Sequence, residues 1–211
     1  MTEPKQKYFD KQAQVVLKNL ESRNFEAYYC PDRASVLAKA LELIPEGACV
    51  GWGGATSAEQ IGLLEALRRG SYNAIDRDTA KSAEERSEMM RRCLLTDYFI
   101  TGTNALSLDG QLVNIDGVGN RVAAIVFGPK NVIVIAGMNK VAATLEDAVT
   151  RARTVAAPIN KQRFPMQTPC EVTGVCGNCK GGGICNQILI TRNSNPKGRI
   201  KVILVGEELG F

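Results

Sequence analysis

A glycine-rich turn after a short apolar segment is the first feature of the sequence that could bind a ligand. The run Gly-Trp-Gly-Gly-Ala-Thr-Ser at residues 51–57 follows Cys49 and Val50 and precedes a helix-like pattern. Glycines let a backbone approach a ligand closely, and N–H groups at a helix start attract anions. We therefore predict a pocket for a small anion, with ligand-binding residues Gly53, Gly54, Ala55, Thr56 and Ser57. The alternative is a tight turn in which Thr56 or Ser57 only caps the helix.

The turn matches neither of two common nucleotide-binding patterns. It lacks the Gly-Lys-Ser/Thr ending of a P-loop, and Thr56 occupies the position of the third glycine in a Gly-x-Gly-x-x-Gly loop. We therefore expect no nucleotide cofactor.

A second group of polar residues lies in a glycine-punctuated region between residues 102 and 121. Asp116 and Arg121 are catalytic candidates, because a carboxylate and a guanidinium can act as acid–base group and anion clamp. Lys140, farther along the chain, is a third catalytic candidate. The ligand-binding candidates are Asn104, Asn114 and Asn120. Turn chemistry for the asparagines and a structural Asp–Arg pair are the alternatives.

Four cysteines lie close together in the pattern Cys170-x5-Cys176-x2-Cys179-x5-Cys185. Four thiolates can hold a tetrahedral zinc ion or a cubane [4Fe–4S] cluster. The outer spacings match neither a zinc ribbon nor the bacterial ferredoxin run, so an iron–sulfur cluster, zinc and metal-free thiols all remain open. The other three cysteines lie in apolar segments and are expected to be packing residues; they are Cys30, Cys49 and Cys93.

Histidine is absent from the 211 residues. Its absence excludes Ser-His and Cys-His catalytic pairs and His-ligated metals within this chain. The net charge of +4 is spread along the sequence, so no nucleic-acid partner is expected. The polar first ten residues and the absence of a run of ~18 apolar residues predict a cytoplasmic protein with reduced thiols and no membrane partner.

The rest of the sequence alternates short apolar runs with amphipathic stretches, which is the pattern of parallel strands connected by helices. We predict strands over 27–30, 48–52, 72–75, 97–101, 105–108, 111–115, 122–127, 131–136, 187–191 and 200–205. We predict helices over 7–22, 32–43, 56–69, 79–93 and 141–156, and no regular structure over 162–183. Asp109-Gly110 fits a tight hairpin turn.

The predicted fold class is α/β, with a mostly parallel twisted sheet, helices on both faces and an antiparallel extension. We expect an N-terminal helix over 1–24 and an α/β core over 25–160. A Cys-rich loop and C-terminal strands over 161–211 are expected to complete the same domain.

Four segments in this order resemble the lactate-utilisation, or LUD domain, family. They are residues 51–57, Asp-Tyr-Phe-Ile-Thr-Gly-Thr-Asn-Ala at 97–105, Asp-Gly-Gln-Leu-Val-Asn-Ile-Asp-Gly-Val-Gly-Asn-Arg at 109–121, and Gly-Met-Asn-Lys at 137–140. The resemblance spans nearly the whole chain. With its cysteine-containing tail, the sequence is similar to the short, single-domain branch of that family.

The resemblance implies a fold like that of ribose-5-phosphate isomerase, glucosamine-6-phosphate deaminase and CoA transferases, in which such a loop holds a phosphate or carboxylate. It also implies a part in oxidising L-lactate alongside separate iron–sulfur subunits. The sequence lacks the linked pair of ferredoxin-type motifs that larger members carry, so we do not expect a complete dehydrogenase. We expect an accessory component of a redox system that binds a small carboxylate, phosphorylated or CoA-linked organic acid, with iron–sulfur subunits as partners and a homodimer as its assembly.

Two other functions remain open. The first is a stand-alone enzyme of the sugar-phosphate isomerase or CoA-transferase type, in which Asp116 is the base and Lys140 or Arg121 grips the anion. The second is a metal-binding redox or regulatory module, in which the loop 170–185 is the working part and the α/β core a scaffold.

Overall fold

The structure is a computed structural model that describes residues 2–211. The strands are β1 (Glu26–Cys30), β2 (Cys49–Trp52), β3 (Asn73–Ile75), β4 (Tyr98–Gly102), β5 (Ala105–Ser107), β6 (Leu112–Asp116), β7 (Asn131–Gly137), β8 (Val141–Ala142), β9 (Gln187–Thr191) and β10 (Ile200–Val205). The helices are α1 (Glu3–Ser22), α2 (Arg33–Glu42), α3 (Thr56–Gln60), α4 (Leu63–Arg69), α5 (Ala83–Arg92), α6 (Asn120–Val126), α7 (Leu145–Arg151), α8 (Ala157–Lys161) and α9 (Pro169–Thr173).

Six strands form a parallel sheet in the order β1-β10-β7-β4-β2-β3. Successive side chains of a strand face opposite sides, so Val132 and Val134 of β7 join one buried cluster while Ile133 and Ile135 join the other. Helices α1 and α6 contribute to the first cluster, and α2, α3 and α4 to the second. The predicted α/β class with helices on both faces is confirmed.

A smaller sheet has the order β8-β5-β6-β9 and is mixed. Strand β6 pairs antiparallel with β5 and β9, whereas β5 pairs parallel with β8. The turn between β5 and β6 contains Gly110, whose φ of 85° lies in the left-handed region and whose N–H donates to the carbonyl of Ser107. The predicted hairpin and antiparallel extension are confirmed.

The strand predicted over 122–127 is wrong, because residues 122–126 belong to helix α6. The Asp116 carboxylate accepts hydrogen bonds from the N–H groups of Arg121 and Val122, which satisfies donors of the first helical turn. Ala124 and Ile125 are buried on the inner side of the helix. Capping and packing thus outweigh the β preference of the apolar run.

Two predicted helices have different bounds. The helix predicted over 56–69 is interrupted at Gly62, whose φ of 79° separates α3 from α4. The helix predicted over 79–93 begins only at Ala83, because the Ser82 side chain accepts the N–H of Glu85 and caps it there.

The helix predicted over 141–156 is shifted along the chain. Residues 141–142 form β8, and the helix begins at Leu145 because Thr144 and Asp147 form a capping box. It continues through a π-helical turn (Ala152–Ala156) into α8. Pro158 supplies no N–H to the preceding turn, which is a cause of such widening.

The segment 162–183 is mostly irregular, as predicted, except for α9. Pro169 begins this five-residue helix and Gly174, with a φ of 73°, ends it. Residues 187–211 then supply β9 to the smaller sheet and β10 to the larger. Among residues 2–211, no helix is both long and apolar enough to span a membrane.

Candidate anion-binding site

A cavity of about 530 Å³ lies at the carboxyl ends of neighbouring parallel strands. Trp52 ends β2, Arg77 follows β3, Asn104 follows β4 and Lys140 follows β7, and all four residues line the cavity. The carboxyl edge of a parallel sheet is the usual place for a ligand in α/β proteins, because loops from several strands meet there. The fold therefore brings most of the predicted catalytic and ligand-binding residues to one cavity, with Asn114 as the exception.

The glycine-rich turn forms one side of this cavity. A Cβ atom on Gly53 would lie 3.1 Å from Cγ of Arg121 and from Cζ of Phe99, whereas a Cβ on Gly54 would have no neighbour within 4 Å. Gly53 is thus required for close packing, and Gly54 opens towards solvent. Because α3 has only five residues, few aligned peptide dipoles point at the turn, and the attraction for an anion must come mainly from side chains.

Lys140 is the most deeply buried charged residue of the cavity, with 4% of its surface exposed. Its Nζ donates to Oγ of Ser57 at 3.1 Å and to the carbonyl of Thr103 at 3.0 Å. Burial, reinforced by the positive charges of Arg151 and Arg121, lowers the pKa of Lys140 to about 7. At neutral pH the amine is therefore divided between its charged and neutral forms.

Arg121 is held by oxygen atoms of the cavity wall. Its Nη2 donates to Oδ1 of Asn104 at 2.8 Å and to the carbonyl of Ile115. Burial lowers the pKa of Arg121, and the negative charge of Asp116 opposes that change. The guanidinium forms no ion pair within 4 Å among residues 2–211, so part of its charge is left for a ligand.

Asp116 lines the cavity but is already engaged by backbone groups. Its carboxylate accepts the N–H groups of Gly117, Arg121 and Val122 at 2.9, 2.9 and 3.1 Å. This is the geometry of a helix cap, and it occupies both carboxylate oxygens. The catalytic role of Asp116 as a base stays a prediction that this arrangement does not favour.

The three candidate asparagines are not brought together. Asn104 and Asn120 line the cavity. Asn114 is 1% exposed and lies outside the cavity lining, where its amide donates to the carbonyl of Gly102 at 3.1 Å. Its position is that of a structural residue behind the site.

Several cavity residues had not been identified from the sequence. Nε1 of Trp52 and Nε of Arg77 are buried donors with no hydrogen-bond partner among the described residues. Burial, followed by the charge of Arg86, lowers the pKa of Arg77. The position of Arg77 just after the predicted strand 72–75 is a signal that could have identified it. Arg163 had no such signal, because it reaches the cavity from a distant irregular segment and donates to Oγ1 of Thr56 at 3.1 Å.

The cavity has an excess of positive charge. Four of its cationic side chains have no carboxylate within 4 Å among residues 2–211: Arg77, Arg121, Lys140 and Arg163. Arg68 and Arg86 also line it, but they pair with Asp76 and Asp78. Cations without carboxylate partners that line one cavity are suited to bind an anion.

A family model described as the LUD domain matches residues 13–205. The chain belongs to the LUD domain family. A solved structure described as a DUF162 family protein from Deinococcus radiodurans is similar, with a TM-score of 0.52, 13% identity, and coverage of 95% of this chain and 98% of that chain. At this identity the similarity concerns the fold alone. No curated protein matches the chain significantly.

The four clustered cysteines of this LUD domain chain line a second cavity, of about 280 Å³. Ile115 and Ile184 line both cavities and so form a shared wall. Within residues 2–211, no three cysteine, aspartate or glutamate side chains are grouped closely enough to hold a metal ion. The other cysteines lie apart from this cavity: Cys30 and Cys93 are buried, as expected, and Cys49 is half-buried.

Proposed function

We propose that this LUD domain chain takes part in L-lactate or related organic-acid metabolism by binding a small carboxylate or phosphorylated ligand in the cationic cavity. The observation that carries the proposal is a set of four cationic side chains that line one cavity and have no carboxylate within 4 Å among residues 2–211: Arg77, Arg121, Lys140 and Arg163. Positive charges that are crowded together and partly removed from water are unfavourable without a counter-charge. An anionic ligand would supply that charge.

The size of the cavity bears on the class of acid. A volume of about 530 Å³ falls within the usual range for small-molecule sites and exceeds what lactate alone requires. The extra space suits a phosphorylated acid or the acyl end of a CoA-linked acid. In this proposal the chain binds the acid as an accessory component, and iron–sulfur partner subunits take up the electrons.

Isothermal titration calorimetry tests the binding step. L-lactate, pyruvate, a phosphorylated three-carbon acid and an acyl-CoA are titrated into the full chain, with lactamide as the uncharged control. The Arg77→Met variant should bind the preferred acid roughly 10- to 100-fold more weakly, because a charge-assisted contact is worth about 1.5–3 kcal/mol.

The matched control is Arg91→Met, which removes the same charge from an exposed position on α5. It should leave the affinity unchanged. Equal binding of lactamide and lactate, or equal affinities of Arg77→Met and Arg91→Met, would contradict the proposal.

A second candidate function is a stand-alone enzyme of the isomerase or CoA-transferase type. Lys140 favours it, because a buried amine with a pKa of about 7 at the edge of a cavity is suited to proton transfer near neutral pH. Turnover assays on aldose and ketose phosphates and on acyl-CoA donors test it. Turnover that Lys140→Met abolishes supports the enzyme; no turnover on the whole panel excludes it.

A further inference from the structure

Four thiols from an irregular segment converge on one cavity. Cys170 lies in α9, Cys176 and Cys179 lie in the loop after it, and Cys185 lies just before β9. All four line the cavity of about 280 Å³, and none forms a disulfide. Residues up to 15 positions apart in sequence thus face one cavity.

Four thiols can hold either a single metal ion or a cluster, and the two differ in the distances between the sulfurs. Zinc binds sulfur at about 2.3 Å, so a tetrahedral site places its four sulfurs within about 3.8 Å of one another. Among residues 2–211 no three donors are grouped closely enough to hold a single ion, whereas all four thiols line one cavity. A cubane core holds its four ligand sulfurs farther apart, because each sulfur binds a different iron atom.

The charges around the cavity indicate an anionic occupant. Lys161 lines the cavity and is fully buried, yet its ammonium donates only to the carbonyl of Phe164, at 2.7 Å. No carboxylate lies within 4 Å of Lys161 in the described part of the chain. Burying an unpaired ammonium is costly, so a negative group in the cavity would compensate it. Arg153 lines the same cavity and is likewise without a carboxylate partner.

The remaining wall is mostly apolar. Ile115, Ala157, Pro158, Ile184 and Ile188 contribute to the lining. A low-polarity wall strengthens the interaction of a cluster with nearby cations.

We propose that this cavity binds a [4Fe–4S] cluster through Cys170, Cys176, Cys179 and Cys185, with Lys161 and Arg153 balancing its charge. A core of charge +2 with four thiolates carries a net charge of about −2, which two cations match. Each thiol releases a proton to solvent and forms one iron–sulfur bond. The core assembles from equal amounts of ferrous and ferric iron with sulfide, so no other oxidant or reductant is required.

The proposed cluster site lies beside the cationic cavity, because the two cavities share lining residues. Because Ile115 and Ile184 line both cavities, a cluster on one side and an acid on the other would share these two residues as lining. The iron–sulfur site itself does not depend on the proposed acid-binding function.

Anaerobic purification, followed by reconstitution with iron and sulfide, tests the proposal. The full chain should retain about four iron and four sulfide ions and show broad visible absorption. Cys176→Ala and Cys179→Ala should lose most of both ions. Cys49→Ala is the matched control, because this cysteine lies outside the cavity, and it should keep them. Lys161→Met should retain less than half of the iron while circular dichroism shows an unchanged fold.

Other outcomes would overturn the proposal. They are retention of about one zinc ion without sulfide, absence of iron from the reconstituted chain, and equal loss of iron from Cys49→Ala and Cys179→Ala. Full retention of iron by Lys161→Met would overturn the charge argument. Iron and sulfide are measured without any organic acid, so failure here is distinguishable from failure of acid binding.

Discussion

Replacing Lys140 with methionine should stabilise the free protein at neutral pH. The amine is 4% exposed, and burial lowers its pKa from 10.5 to about 7. At 1.36 kcal/mol per pKa unit, burial of this group lowers the free energy of unfolding at pH 7 by about 4 kcal/mol. Methionine fills a similar volume without a charge. It forfeits the hydrogen bonds to Ser57 and Thr103, each worth about 1 kcal/mol, so a net gain of about 2 kcal/mol is expected.

The pH dependence makes this prediction specific. Between pH 7 and 10.5 the unfolded chain holds a proton on Lys140 that the folded chain has lost, so wild-type stability rises with pH in this window. The cost falls to about 1 kcal/mol at about pH 10. The difference in unfolding free energy between wild type and Lys140→Met should therefore change by about 3 kcal/mol from about pH 7 to about pH 10.

Urea denaturation at a series of pH values measures this difference. Lys130→Met is the control, because it makes the same substitution at an exposed position. If the Lys140→Met curve stayed within about 0.5 kcal/mol of a constant offset from wild type, Lys140 would not occupy a poorly solvated site, and the reasoning would fail.

Three further predictions concern the cationic cavity. An anion beside Lys140 favours the protonated amine, so wild-type affinity measured by calorimetry should fall several-fold from about pH 6 to about pH 8, and Lys140→Met should lose this dependence. Gly53→Ala should lower the free energy of unfolding in urea by about 1 kcal/mol and weaken acid binding, because its Cβ would lie 3.1 Å from Cγ of Arg121. Gly54→Ala is the control, because its Cβ would have no neighbour within 4 Å, and its free energy of unfolding should be within about 0.5 kcal/mol of wild type. Asp116→Ala should cost about 1–3 kcal/mol in urea denaturation, because three N–H groups lose their acceptor; unchanged stability would contradict the capping role.

The alternation of apolar runs and amphipathic stretches was sufficient to predict the class of fold. It failed where the composition of one segment was outweighed by contacts from outside that segment. Residues 122–127 have the composition of a strand, but the Asp116 carboxylate caps a helix there. Asp116 precedes the apolar run, so the composition of the run alone does not contain the signal.

The glycine-rich turn and Lys140 could be placed at one site from the sequence, because motif order indicated them. Arg163 could not, since its contact with Thr56 joins residues more than 100 positions apart. The sequence left Asp116 open as a base or as part of a structural Asp–Arg pair, whereas its backbone contacts are visible only in three dimensions. Burial of Lys140, which sets its pKa, is likewise a property of the packed structure.

Because Ile184 lines both cavities, filling one cavity can change the affinity of the other for its ligand. The carbonyl of Ile184 lies close to Gly117, and the Asn186 amide donates to the carbonyl of Gly117 at 2.7 Å, so the loop before β9 is tied to the mouth of the cationic cavity. Such coupling is reciprocal. If a cluster in the thiol cavity changes the affinity for an acid by some factor, the bound acid changes the affinity of the thiol cavity for the cluster by the same factor. Ile184, one of the two isoleucines that line both cavities, is therefore a position at which cooperativity between the cavities can be tuned without altering a ligating atom in either.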